Sequence, residues 1–97
     1  MAVREVRWLR RALANLDEIA TYIAADNPAA ARALVAGIKH QVELLRLQPN
    51  IGRPGRVPGT RELVIIGEHY IIPYRVKRNH VEILRVFHDA RAWPKRF

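Results

Sequence analysis

The chain contains neither cysteine nor serine. Disulfides, thiolate chemistry and a serine or cysteine nucleophile are therefore excluded, while the redox compartment is left open. Long apolar runs are also missing. Nothing approaches the roughly 20 residues of a membrane span, and the opening MAVREVRWLRR has no apolar stretch behind its charges to read as a signal peptide. Acidic residues are scarce, nine against 17 Lys and Arg, for a formal charge of +8. The expectation is a soluble cytoplasmic protein with no membrane association. Its 97 residues read as one domain, 1–97, with room for one modest core.

The cationic excess is uneven. Residues 1–50 hold seven basic and five acidic side chains, a net +2, and residues 51–97 hold ten and four, a net +6. Fourteen of the 17 cations are arginine, which suits planar, bidentate recognition of phosphate or carboxylate. The partner class implied is a nucleic acid, a nucleic-acid-bound machine or an acidic protein, set against a merely solvated basic surface.

Two apolar runs, Tyr70–Val76 and Val81–Phe87, flank the polar Lys77-Arg78-Asn79-His80. Both are rich in the β-branched and aromatic residues that favour strands. A turn centred on Arg78-Asn79 pairs Val76 with Val81, Tyr74 with Ile83, Ile72 with Arg85 and Tyr70 with Phe87. One face of this hairpin then carries Tyr70, Ile72, Tyr74, Val76, Val81, Ile83 and Phe87, enough for a core. The other mixes Ile71, Pro73, Leu84 and Val86 with Arg75, Glu82 and His88, and is the face expected to carry function. Pro73 cannot donate to a ladder, so a bulge is expected there if the strand is central.

Upstream, Val3–Trp8 alternates like a short strand. Leu9–Ala25 and Pro28–Leu47 show helical spacing, and Asp26-Asn27-Pro28 between them stops one helix and caps the next. So short a joint makes the pair an antiparallel hairpin. The Gly- and Pro-rich stretch 51–59 is a loop, and Thr60–Ile66 a further strand. The order β-α-α-β-β-β places the helices on one face of an antiparallel sheet, an α+β fold.

The histidines His40, His69, His80 and His88 share no ligand spacing, so neither a metal nor a cofactor is expected. Arg53-Pro54-Gly55-Arg56 brings glycine and cations together as a phosphate cradle does. It lacks a P-loop's lysine and following helix, however, and reads as a basic loop. Arg61, Arg75, Arg85, His88 and Arg91 remain. Arginine stabilises charge as a phosphodiester is cleaved, and histidine moves protons near neutral pH. Their ordinary readings are a cross-strand Arg75–Glu82 pair, Arg85 at the sheet edge and His88 bonded to the tail. Trp8 and Trp93 read as packing anchors, with base stacking as the alternative for Trp93.

Taken in order, these segments resemble the RelE/ParE superfamily of bacterial toxins. The likeness rests on Asn27-Pro28, Gly52-Arg53-Pro54-Gly55, Gly59-Thr60-Arg61-Glu62-Leu63-Val64, Tyr70–Val76 and Val81–Arg91, and runs from about Val6 to Pro94. It implies a type II toxin–antitoxin operon, with an acidic antitoxin wrapping the toxin. Leu13, Leu16, Ile23, Leu34 and Ile38 on the helical hairpin are then candidate antitoxin contacts. The superfamily divides by target. RelE-like members are metal-independent nucleases that cut messenger RNA in the ribosome; here Arg61, Arg85, His88 and Arg91 would be the catalytic candidates. ParE-like members poison DNA gyrase and are not nucleases; Arg75, Arg91, Lys95 and Arg96 would then be the target-binding candidates. The apolar Tyr70-Ile71-Ile72 where nucleases place an arginine, and Asp89 following His88, favour the ParE-like reading, with the nuclease as the alternative.

Overall fold

The computed structural model describes residues 3–89 and 92–97. Strand β1 (Glu5–Trp8) leads into helices α1 (Arg10–Ala24) and α2 (Pro28–Glu43), the second ending in a 3₁₀ turn, Leu44–Arg46. The strands β2 (Arg53–Pro54), β3 (Arg61–Val64), β4 (Tyr70–Val76), β5 (His80–Ile83) and β6 (Phe87–His88) follow. As expected, the joint between the helices is a cap. The Asn27 side chain accepts the Ala30 N–H at 3.0 Å, and Pro28 opens α2, where its missing donor does no harm.

The fold is α+β, with the sheet in the order β1-β5-β4-β3-β2 and β6 also paired to β4. It is mixed rather than antiparallel. The first strand lies parallel to β5, Val6 beside Val81, and the remaining pairs are antiparallel. The amphipathic faces of the helices pack on one side of the sheet, where Ala12, Leu16, Leu34, Ile38 and Val42 meet Leu63, Ile72, Tyr74, Val81 and Ile83.

The central hairpin keeps its expected register through Val76–Val81 and Tyr74–Ile83 and then departs from it. The next pairs are Ile71–Phe87 and Tyr70–His88. Three residues, Leu84, Arg85 and Val86, therefore oppose two, Ile72 and Pro73: a bulge, opposite the proline that predicted one. Leu84 N–H donates to Pro73 O at 3.0 Å, and Val86 N–H donates to the Asn15 side chain on α1 at 3.2 Å. The extra residue exchanges faces downstream. Val86, not Phe87, joins the helix-side core, and His88 pairs beside Tyr70.

Candidate functional site

The face away from the helices is apolar at its centre, and that centre is covered. Ile71, Pro73, Leu84 and Phe87 are buried there, with Val57 from the preceding loop. Phe87 meets Trp93 edge-on at 5.1 Å between centroids and stacks at 6.3 Å against Phe97. The aromatic tail thus lies against this side of the sheet, which makes Trp93 a packing residue. Its ring also carries the Arg56 guanidinium, 3.9 Å from the centroid.

Arg56 and Arg53 are turned inward to Glu62, whose side chain is 2% exposed. Arg56 donates its backbone N–H to Glu62 Oε2 at 2.8 Å and its Nε to the same oxygen at 3.0 Å, while Arg53 Nη2 lies 2.8 Å from Oε1. Burial alone would raise the Glu62 carboxyl. The bonds from Arg56 and Arg53 outweigh it together and hold the group below its ordinary value of 4.5. The loop does cradle an anion, and the anion is the chain's own carboxylate. Gly55 is required for this closure, since a side chain there would run into Thr60, and its N–H donates to Thr60 O at 2.8 Å. The signal in the sequence was a lone glutamate in an apolar strand, following two loop arginines.

Of the nuclease candidates, Arg61 lies apart from His88. Arg61 is half-buried and donates to the carbonyls of Gly52 at 2.8 Å and Asn50 at 3.4 Å. It pairs with Tyr74, and His88 with Tyr70, so four residues of strand, about 13 Å, separate the two. Arg85 sits on the bulge, donates to Leu84 O at 3.3 Å and lies 5.8 Å from the Phe97 ring. Arg91 falls outside the described residues. Asp89 stands between two histidines, 3.2 Å from His69 Nδ1 and 3.4 Å from His88 Nδ1.

Among the target-binding candidates, Arg75 makes the expected pair with Glu82, at 3.7 Å. Lys95 and Arg96 are exposed on the tail. The expected antitoxin contacts need correction. Leu16, Leu34 and Ile38 face the sheet and are 4%, 8% and 0% exposed, because the periodicity that marked them as a stripe is the stripe that builds the core. Ile23 is half-buried against that core, and Leu13 alone of the five is exposed. What the hairpin leaves open is a shallow groove of about 600 Å³, floored by Ala20, Ala24 and Val35 and edged by Asp17, Arg32 and Lys39. Among the described residues no helix is long and apolar enough to cross a membrane.

Residues 6–93 match the family described as ParE toxin of type II toxin-antitoxin system, parDE. The protein Y4kP of Sinorhizobium fredii is 50% identical over 95 residues, 98% of either chain. Toxin RelE2 of Caulobacter vibrioides is 37% identical over 87 residues, 90% of this chain and 97% of that one. A solved chain of the "Chromosomal ParDE TA system from P. aeruginosa" superposes with a TM-score of 0.79 at 34% identity, covering 89% of this chain and 96% of its own. Sequence, length and topology agree, and the chain belongs to the ParE toxin family of type II toxin–antitoxin systems.

Proposed function

We propose that this toxin inhibits growth in the cytoplasm by binding and poisoning DNA gyrase, and that a co-encoded antitoxin neutralises it. The observation that carries this reading is the separation of Arg61 from His88 along β4. Arg61 holds backbone carbonyls, Arg85 lies at the bulge, and His88 is about four strand residues from Arg61. A scissile phosphate needs its cation and its proton carrier within hydrogen-bonding reach of one site. A surface binder has no such requirement, and the exposed Lys95 and Arg96 suit one.

Expression with and without the antitoxin gene tests both halves. Unneutralised toxin should bring DNA breaks and an SOS response, and the purified protein should reduce supercoiling by gyrase. His88→Ala should be mild, while reversing charge at Lys95 and Arg96 should weaken binding through lost long-range attraction.

A ribosome-dependent mRNA endonuclease is the second reading, favoured by one feature. Asp89 is hydrogen-bonded to His69 at 3.2 Å and its other oxygen lies 3.4 Å from His88 Nδ1, and a carboxylate beside an imidazole suits acid–base work. On that reading His88→Ala lowers cleavage by roughly 10²–10⁴-fold without unfolding the protein. Codon-phased RNA cuts lost in that variant, with DNA intact, would replace gyrase as the target.

A further inference from the structure

The helical hairpin turns one face to the sheet and leaves another bare. Asp17, Ala20 and Ala24 on α1, and Arg32, Val35 and Lys39 on α2, recur three and four residues apart, so each helix lends one stripe to the groove between them. Leu13, four residues before Asp17 and 45% exposed, continues the α1 stripe. The floor is mostly alanine. Short side chains let a second layer of helices approach closely, because the side chains at the contact set the interaxial distance.

The rims carry opposite charge. Asp17 stands on the α1 side and Arg32 and Lys39 on the α2 side, all three exposed. None of them makes an ion pair among the described residues. Asp17 and Val35 are each nine residues from Asp26 at the joint. Across the antiparallel hairpin, Asp17 is therefore level with the gap between Arg32 and Lys39. Net charge separates this region from the rest. Residues 10–43 hold four basic and four acidic side chains, which cancel, whereas residues 51–97 carry +6. The hairpin is the neutral part of a cationic molecule, and long-range attraction brings no nucleic acid to it.

We propose that this face is an isologous interface between two copies of the chain, paired as a four-helix bundle about a two-fold axis along the groove. That axis lays α1 of one copy antiparallel over α2 of the other. Each Asp17 then falls between Arg32 and Lys39 of the second copy, and the contact is made twice. Both sheets end up outermost, on the order of 30 Å apart for layer spacings of about 10 Å. Several Debye lengths of about 8 Å lie between the cationic halves, so they do not oppose the pairing. The footprint is one hairpin wide, at the small end for interfaces, and association in the range of about 1–100 µM is expected.

Sedimentation equilibrium of the full chain, free of antitoxin, tests this. The mass should climb from 11.2 kDa toward twice that as the toxin is concentrated. Asp17→Lys, and separately the double variant Arg32→Glu/Lys39→Glu, sets like charges against each other across the interface. Each should weaken association about tenfold or more. Mixed in equal amounts, the two variants meet opposite charges again at both contacts and should pair about as tightly as the parent. A merely structural effect of the substitutions would not be undone by mixing. A parent that stays at 11.2 kDa at several hundred micromolar overturns the inference. Association that both variants leave unchanged, or that mixing does not recover, overturns it too. A monomeric parent whose Asp17→Lys variant loses antitoxin binding gives the groove to the antitoxin, and the inference falls.

Discussion

Tyr74 has no exposed surface, yet its hydroxyl is used twice, donating to Pro49 O at 2.7 Å and accepting from Gly52 N–H at 2.9 Å. Burial pushes the phenol up, against the Gly52 bond and the charge of Arg61, so it is held neutral as a donor. Tyr74→Phe leaves the buried Gly52 N–H and the half-buried Pro49 carbonyl without this partner. The expected loss is about 1–3 kcal/mol, read as a lower urea midpoint at unchanged slope. Gly52 is fitted to the same contact, since a Cβ there would lie 2.5 Å from the Tyr74 hydroxyl oxygen. Asn15 acts similarly at the bulge, where its side chain accepts the Val86 N–H freed from the ladder. Asn15→Ala should lower stability by about 1–2 kcal/mol, with Asn15→Asp restoring part of it because an acceptor remains.

At the scale of elements, the loop between β2 and β3 is organised by Glu62. Its folded value lies below 4.5, so its contribution is fully present above that pH and is lost as pH falls through the folded value. Acid unfolding should therefore begin below about 4.5 and be shallower in Glu62→Gln, which is itself less stable at neutral pH because the amide offers the two arginines one acceptor oxygen and no charge. Midpoints measured from pH 7 to 3 check the sign. A Glu62→Gln chain with the same acid dependence as its parent would remove Glu62 as the cause.

The two helices, the cap at Asn27 and the hairpin as far as Ile83 were legible, because each depends on spacing within one stretch. The bulge was legible only as a consequence of Pro73. Its outcome, Val86 in the core and Phe87 against Trp93, depends on Asn15, 71 positions away. The parallel seat of β1 was not legible, since alternation over Val3–Trp8 does not say which strand it will join. The site was read least well. The Leu16–Leu34–Ile38 stripe and Arg61 were recognisable by type, but whether a side chain faces a partner or its own core is settled by packing that no local pattern contains.

For the whole molecule, binding that is confined to the folded state raises apparent stability, by about 2.7 kcal/mol at a hundredfold excess over Kd. The melting temperature of the toxin should therefore climb with antitoxin concentration. The pairing of β1 with β5 has a consequence for the order of events at the ribosome. Val6 meets Val81, so strand β1 lacks its partner strand until 75 more residues exist, roughly 4–15 s at about 5–20 residues per second. Contacts this distant in sequence also close slowly. A nascent chain can form its helical hairpin in that interval but cannot complete the sheet. Chains released before His80 should thus be helical, uncooperative in melting and harmless, and toxicity should arrive only once β5 has been made.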